Sequence, residues 1–293
     1  MTLIDAHHHV WCPGSRDPDI GYGWLCDVGA PKPFGDPTPI QRDYLWDEFL
    51  SEGPERPAAS VHVQADGAAD GLAEVAWAAE TARAAGHRAG IVGLVDLSAP
   101  DAAARIAAQA AWPEFRGVRQ IVARDPDRPA LSFAPRDLLS DPAWRAGLGA
   151  LAAAGGSFDL QLYPRQASAA LEALAPHPGL AVIVDHAASP VDGPTPGWRE
   201  AVRALGRRPN TFCKLSGWGM YDPRWSAASI APMVAEVLAA FGSARTMFGS
   251  NYPVEALARP YGAAVDAVRA AVEAAGGDAG EVMAGTARRA YRL

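Results

Sequence analysis

The feature that most restricts this chain is its alternation of short β-branched runs with Ala-rich runs of helical spacing. Short apolar runs rich in Val, Ile and Phe read as buried strands, and apolar residues recurring every three or four positions read as helices packed on them. The strand candidates lie at 2–8, 60–65, 89–95, 117–123, 158–163, 180–186, 211–216 and 245–250. The helix candidates lie between them, at 72–86, 101–112, 141–156, 167–176, 197–207, 228–242 and 261–277. Double glycines at 155–156 and 276–277 stand where two of these helices must stop, because a left-handed residue commonly closes a helix. Strand, crossover helix and strand in repeated series build a parallel sheet, and eight such units predict an α/β protein, a (β/α)8 TIM barrel. An open doubly wound sheet usually shows a glycine-rich phosphate turn after its first strand, and histidines stand there instead. The segment from Pro13 to Glu55 breaks the rhythm and is rich in Pro, Gly and Trp. A long loop after the first strand opens on the carboxyl face of such a barrel, where it walls or covers a pocket. No linker divides residues 1–293, so a single barrel domain is expected.

Composition narrows the partners. With 49% hydrophobic and 20% charged residues the chain has the apolar material for a large core. The net charge of -7, without a run of five like charges, argues against a phosphate-binding surface, so no nucleic-acid partner is expected. The chain lacks both a signal-peptide pattern and an apolar stretch of about 20 residues, which reads as a cytoplasmic protein with no membrane partner. Cys12, Cys26 and Cys213 are odd in number and not spaced as CxxC, so they are read as reduced thiols. Ala-rich helix surfaces permit a homodimer.

Chemistry gathers at the strand ends. In "IDAHHHVW", strand alternation places Asp5, His7 and His9 on one face and His8 on the other. Two imidazoles and a carboxylate inside a barrel are costly to bury unless they bind something. A purification tag would be longer and carry a linker. His7 and His9 supply two neutral nitrogens of the kind zinc accepts, and His186, after the apolar "AVIV" run, is a third ligand or an acid/base group. The same alternation groups His62, Gln64 and Asp66, and also Asp159, Gln161 and Tyr163. Arg119 and Lys214 put cations at strand positions, where each either holds an anionic substrate group or pairs with an internal carboxylate. Trp11, Trp24 and Trp46 are read as pocket floor or as loop packing.

The set "IDAHHHVW", "FRGVRQ", "FDLQLYPRQ", "VIVDHAASPVD", "CKLSGWG" and "MFGSNYPVE" resembles the amidohydrolase superfamily, and within it the lactonase-like branch. The likeness runs from Ile4 to Leu293. It implies a (β/α)8 barrel, a hydrolytic or isomerising reaction at a lactone carbonyl, and one divalent ion, zinc, on His7, His9 and His186. It also implies an aspartate after "FGS" as ligand or general base. Here that position is Asn251, whose amide is a weak neutral ligand and cannot take a proton from water. On the fourth strand Arg119 and Gln120 replace the bridging ligand of binuclear members, so two metals are not expected.

The resulting expectation is a hydrolase that opens a sugar-acid or aromatic-pathway lactone by water attack on the ring carbonyl. Zinc, or the imidazoles and Arg119 without metal, would polarise the carbonyl, with one histidine moving the proton and Asn251 orienting water or substrate. Arg119, Gln161, Tyr163, Lys214, Trp11 and Trp24 would bind the substrate, a small anionic or polyhydroxylated lactone; Arg165 adds a further positive charge. Glu255 and Asp185 are spare carboxylates, with Asp185 turned away by alternation if His186 faces inward. Isomerisation, decarboxylation or amide hydrolysis on the same scaffold are the competing reactions, and a binding protein that has lost its base is the non-catalytic one.

Overall fold

The structure, a computed structural model, describes residues 2–13, 20–66 and 71–293. Eight strands, β1 Ile4–His8, β2 Ala59–Val63, β3 Ala89–Gly93, β4 Phe115–Arg119, β5 Ser157–Leu160, β6 Val182–Val184, β7 Thr211–Leu215 and β8 Thr246–Phe248, lie in one sheet in sequence order. Every neighbouring pair is parallel. The barrel is drawn shut just beyond β8, where Asn251 N–H donates to His7 O at 2.6 Å and His9 N–H to Tyr252 O at 2.7 Å. Two helices, α1 Gly23–Cys26 and α2 Trp46–Ser51, lie in the long β1–β2 connection. The crossovers and the last segment supply α3 Gly71–Ala84, α4 Ala102–Ala110, α5 Pro142–Ala153, α6 Ala167–Leu174, α7 Pro196–Gly206, α8 Ala227–Phe241, α9 Tyr261–Ala274 and α10 Thr286–Ala290. The fold is the expected (β/α)8 barrel. Residues 14–19 of the long loop lie outside the described residues.

Local chemistry sets the helix ends. Asp141 and Thr195 accept from the N–H groups of Ala143 and Trp198, and in each case proline follows directly, with its ring already fixed at helical φ. Gly155 and Gly276 adopt φ of +69° and +74° beyond α5 and α9, the stops anticipated from their pairing. The largest shift from expectation is at β4, which starts at Phe115 and ends at Arg119 rather than running over 117–123. Beyond it the backbone leaves the ladder: Ala123 O accepts from Phe133 and Ala134, and the Gln120 side chain accepts from Leu97 N–H and Trp144 Nε1–H.

The core forms two shells. Phe158, Leu160, Val182, Val184, Cys213 and Leu215 pack outward with the helices, whereas Ile4, Ala6, Val61, Val63, Ile183 and Met247 form an inner cluster against Ala287, Ala290 and Tyr291. Among the described residues no helix is long and apolar enough to cross a membrane. Gly117, on β4 beneath Arg119, marks a tight strand-to-strand contact: a Cβ there would lie 2.3 Å from Ser157 O of β5. Gly117→Ala is therefore expected to destabilise the protein by about 1–3 kcal/mol through overpacking against immovable backbone. Urea unfolding measures this, and an unchanged midpoint would contradict it.

Candidate active site

Strand alternation alone does not aim the site residues. Ile4 and Ala6 face the barrel interior, so an unbroken pleat would turn His7 outward. The register of β1 on β2 slips between Asp5 and His8. The slip brings His7 inward, where its Nδ1 meets Lys214 Nζ at 3.1 Å and Asp185 Oδ1 at 3.3 Å. His8 faces outward, stacked on Phe49 with ring centroids 3.8 Å apart. Asp5 is consequently not beside His7 and His9 in the pocket, as alternation had suggested. Its Oδ1 accepts the N–H groups of His7 and Ser250, and its Oδ2 accepts Tyr261 OH at the start of α9. It is a buried tie between β1, the β8 loop and α9.

A second break delivers two neighbouring side chains from β6. Ile183 faces inward, and alternation carries Asp185 with it. After Asp185 the backbone turns left-handed for four residues, His186 to Ser189, with φ from 50° to 57°. That turn swings His186 inward as well, its ring centroid 4.6 Å from that of His7. Asp185 and His186 therefore both face the site, and the expectation that one excludes the other is corrected.

Arg119, His9, His186, Gln161 and Asn251 line a cleft of about 500 Å³ at the carboxyl ends of the strands. Trp11, Trp24, Phe34 and Lys32, from the long connection after β1, form one wall, and Phe133 and Met220 another. Asp66, after β2, also lines it. His62 does not, since its Nε2 lies 3.4 Å from Glu74 Oε1 on α3, and Gln64 is turned to the backbone of the β2 and β4 ends. Two proposed substrate contacts are likewise elsewhere. Tyr163 follows a strand that ends at Leu160, borders a different cavity and donates its hydroxyl to Leu131 O. Lys214 is fully buried below the cleft, 2.6 Å from Asp159 Oδ2 and 2.9 Å from Asp185 Oδ1. The internal ion pair is thus the reading that holds for Lys214. Arg165 pairs with Asp125 and Asp127, Trp46 donates to Thr81, and Glu255 accepts from Gly219 N–H and Trp225 Nε1–H, so none of the three reaches the cleft.

The electrostatics follow from burial. Arg119 is 4% exposed, yet no carboxylate pairs with it among the described residues. Its guanidinium donates to Gln161 Oε1 and Gln64 O, and its Nε has no hydrogen-bond partner among the described residues. Burial holds His7 and His9 well below the usual imidazole range, with Lys214 adding to the effect on His7 and Arg119 to that on His9. Burial lowers His186 to about 3 against the opposing pull of Asp185. All three imidazoles are neutral at pH 7. Burial also raises Asp159 to about 6, whereas Lys214 and His7 overcome burial at Asp185 and hold it well below the carboxylate range. His9 Nδ1 lies 2.6 Å from Val63 O, so it must donate and leave Nε2 bare. His186 Nδ1 lies 2.8 Å from Ser216 Oγ.

The donor set fits a zinc ion. Ligand atoms of His7, Asp185 and His186 lie within 4.8 Å of one another. Imidazoles sharing an ion with Zn–N of about 2.0–2.1 Å have ring centroids roughly 5 Å apart. The separations here are 4.6 Å for His7 and His186 and 5.2 Å for His7 and His9. His7 Nε2 and Asn251 Nδ2 are buried without a hydrogen-bond partner among the described residues. Sequence reasoning did not assign Asp159, Ser216 or Tyr291 to this assembly. Only Asp159 carried a signal, as a carboxylate inside an apolar strand.

Neutral imidazoles and a guanidinium at the carboxyl mouth of a (β/α)8 barrel define a barrel enzyme with a hydrolase-type site. The chain belongs to the amidohydrolase family, whose model matches residues 4–293, and to its lactonase-like branch. It is 35% identical to an uncharacterised protein of Sinorhizobium fredii, over 90% of this chain and 89% of that one. An L-fucono-1,5-lactonase of Burkholderia ambifaria is 32% identical, covering 89% of this chain and 84% of its own. A crystal structure of a Burkholderia multivorans amidohydrolase with bound zinc superposes with a TM-score of 0.79 at 29% identity, over the whole of both chains.

The buried imidazoles give the fold a pH dependence. His7, His8, His9, His87 and His186 all have lowered folded pKa values, so below about pH 6.5 the unfolded chain binds protons that the native state refuses. Stability therefore falls as pH falls from 6.5 toward 4. Asp5 and Asp159, raised to about 6, and Glu255, raised to about 7, act in the opposite sense over much of the interval. Five imidazoles outweigh three carboxyls, and each net proton contributes about 1.4 kcal/mol per pH unit. Urea midpoints at pH 7 and pH 5 test this; equal midpoints would count against neutral buried imidazoles.

Proposed function

We propose that this chain is a lactonase that hydrolyses a small anionic or polyhydroxylated lactone. The observation that carries the reading is Arg119, a buried cation at the cleft with no carboxylate partner among the described residues, flanked by imidazoles. A buried guanidinium bonded only to neutral oxygens favours an electron-rich oxygen from a ligand, and a lactone carbonyl becomes one as water adds to it. The cleft is of a size that encloses a single small ring, with Trp11, Trp24 and Phe34 to cover its apolar face. The resemblance to an L-fucono-1,5-lactonase supports the same class of substrate.

In this reading Arg119 holds the ring carbonyl oxygen. Water adds to the carbonyl carbon, and His186 Nε2 takes its proton while Nδ1–H is held by Ser216 Oγ. Asp185 beside it stabilises the imidazolium. The carbon–ring oxygen bond then breaks, the proton passes to the departing alkoxide, and the product is an open-chain hydroxy acid that ionises. Asn251 Nδ2–H, without a hydrogen-bond partner among the described residues, donates to the water or to a substrate hydroxyl. If zinc is bound, His7, Asp185 and His186 would hold it, with His9 beside them, and it would supply Lewis-acid polarisation and a water of lowered pKa.

Proton release from a panel of sugar-acid and unsaturated lactones, beginning with L-fucono-1,5-lactone, tests the proposal. Acid should appear in proportion to lactone consumed; isomerisation or decarboxylation would consume substrate without it. His186→Asn is expected to lower kcat about 10²- to 10⁴-fold, as loss of a general base does. Arg119→Met should lower kcat/KM about 10²- to 10³-fold, and a change confined to KM would instead make Arg119 a binding group only.

A further inference from the structure

We infer that Lys214 is a positioning residue that sets the tautomer of His7, so that His7 presents an N–H at Nε2 rather than a lone pair. The argument rests on counting hydrogens. An ammonium has three donors and no acceptor, and Lys214 Nζ faces three acceptors: Asp159 Oδ2 at 2.6 Å, Asp185 Oδ1 at 2.9 Å and His7 Nδ1 at 3.1 Å. The third contact requires a lone pair on Nδ1. A neutral imidazole carries one hydrogen, which must then reside on Nε2.

The competing arrangement places the hydrogen on Nδ1, donating to Asp185 Oδ1. That contact is longer, at 3.3 Å, and it would set an N–H against the ammonium across 3.1 Å. Asp185 Oδ1 already has the ammonium of Lys214 at 2.9 Å to balance its charge. Asp159 Oδ2, which receives a hydrogen from the ammonium, also accepts from Tyr291 OH at 2.6 Å, and this second bond fixes the oxygen to which the ammonium is held.

His7 Nε2 is buried beside the rings of His9 and His186 and has no hydrogen-bond partner among the described residues. His9 is set oppositely, its Nδ1–H spent on Val63 O and its Nε2 bare. The site thus pairs a donor imidazole with an acceptor imidazole. A donor suits a developing oxyanion, and a nitrogen that keeps its hydrogen cannot ligate a metal. Lys214 therefore weakens zinc binding and favours carbonyl polarisation by hydrogen bonds. Only the identity of the oxygen that receives the His7 hydrogen rests on the lactonase reading.

Long-range ¹H–¹⁵N spectra of ¹⁵N-histidine-labelled wild-type protein, free of metal and substrate, report the tautomer directly, with the His7 signals assigned by their loss in His7→Gln. The expected result is a pyridine-like Nδ1 and a pyrrole-like Nε2; the reverse assignment overturns the inference. The double variant Lys214→Met/Asp159→Asn removes the ammonium while leaving Asp185 to accept from Nδ1. It should reverse the His7 pattern and tighten zinc binding about 10- to 100-fold in competition with a chromogenic chelator. A folded variant with unchanged zinc affinity and tautomer also overturns the inference, and if the variant does not fold the wild-type spectrum decides. A silent lactone panel with the expected His7 spectrum would sink the lactonase reading and leave this one standing.

Discussion

The interaction on which the site depends is the buried contact of Lys214 with Asp159 and Asp185, all fully enclosed by the barrel. One ammonium among two carboxylates in a dry space must be satisfied on every side, because losing a partner from such a group costs about 3–5 kcal/mol. Tyr291 OH donates to Asp159 as well, and His7 Nδ1 lies against the ammonium. Lys214 comes from β7, Asp159 from β5 and His7 from β1, so the charges join strands far apart around the barrel. The imidazoles above are positioned by the same bonds that make this cluster tolerable.

Charge is layered along the barrel axis. Apolar side chains fill the lower interior, the ion cluster lies above them, and the neutral imidazoles and Arg119 face the cleft. Arg119 differs from Lys214 in having no carboxylate partner among the described residues, and this difference separates a structural cation from one available to a ligand. The long β1–β2 connection adds what strands cannot, a wall of Trp24, Phe34 and Lys32 that narrows the mouth.

Much of the fold was legible because its signal is local. Periodicity located all eight strands and their helices, and the glycines at 155 and 276 marked helix ends. The site was legible only as a set of residue types. Face assignments failed at Asp5 and Asp185 because they assumed an unbroken pleat, and the β1 slip and the left-handed turn are not encoded in any residue type that alternation considers. Tyr163 failed because its strand ends earlier than its apolar run suggests. Lys214 and Arg119 looked alike as sequence. What separates them is Asp159, which meets Lys214 across 55 residues, and the hydroxyl of Tyr291, which meets Asp159 across 132.

The left-handed turn from His186 to Ser189 has an evolutionary corollary. A non-glycine residue in this conformation costs about 1–2 kcal/mol, and four stand in succession without a glycine among them. Asp185 and His186 are thus placed by a single backbone device, and their fates are linked. An insertion, a deletion or a β-branched replacement within the turn would misplace anion and imidazole together. Descendants of this barrel can exchange the side chains lining the cleft one at a time, but they must inherit this pair whole.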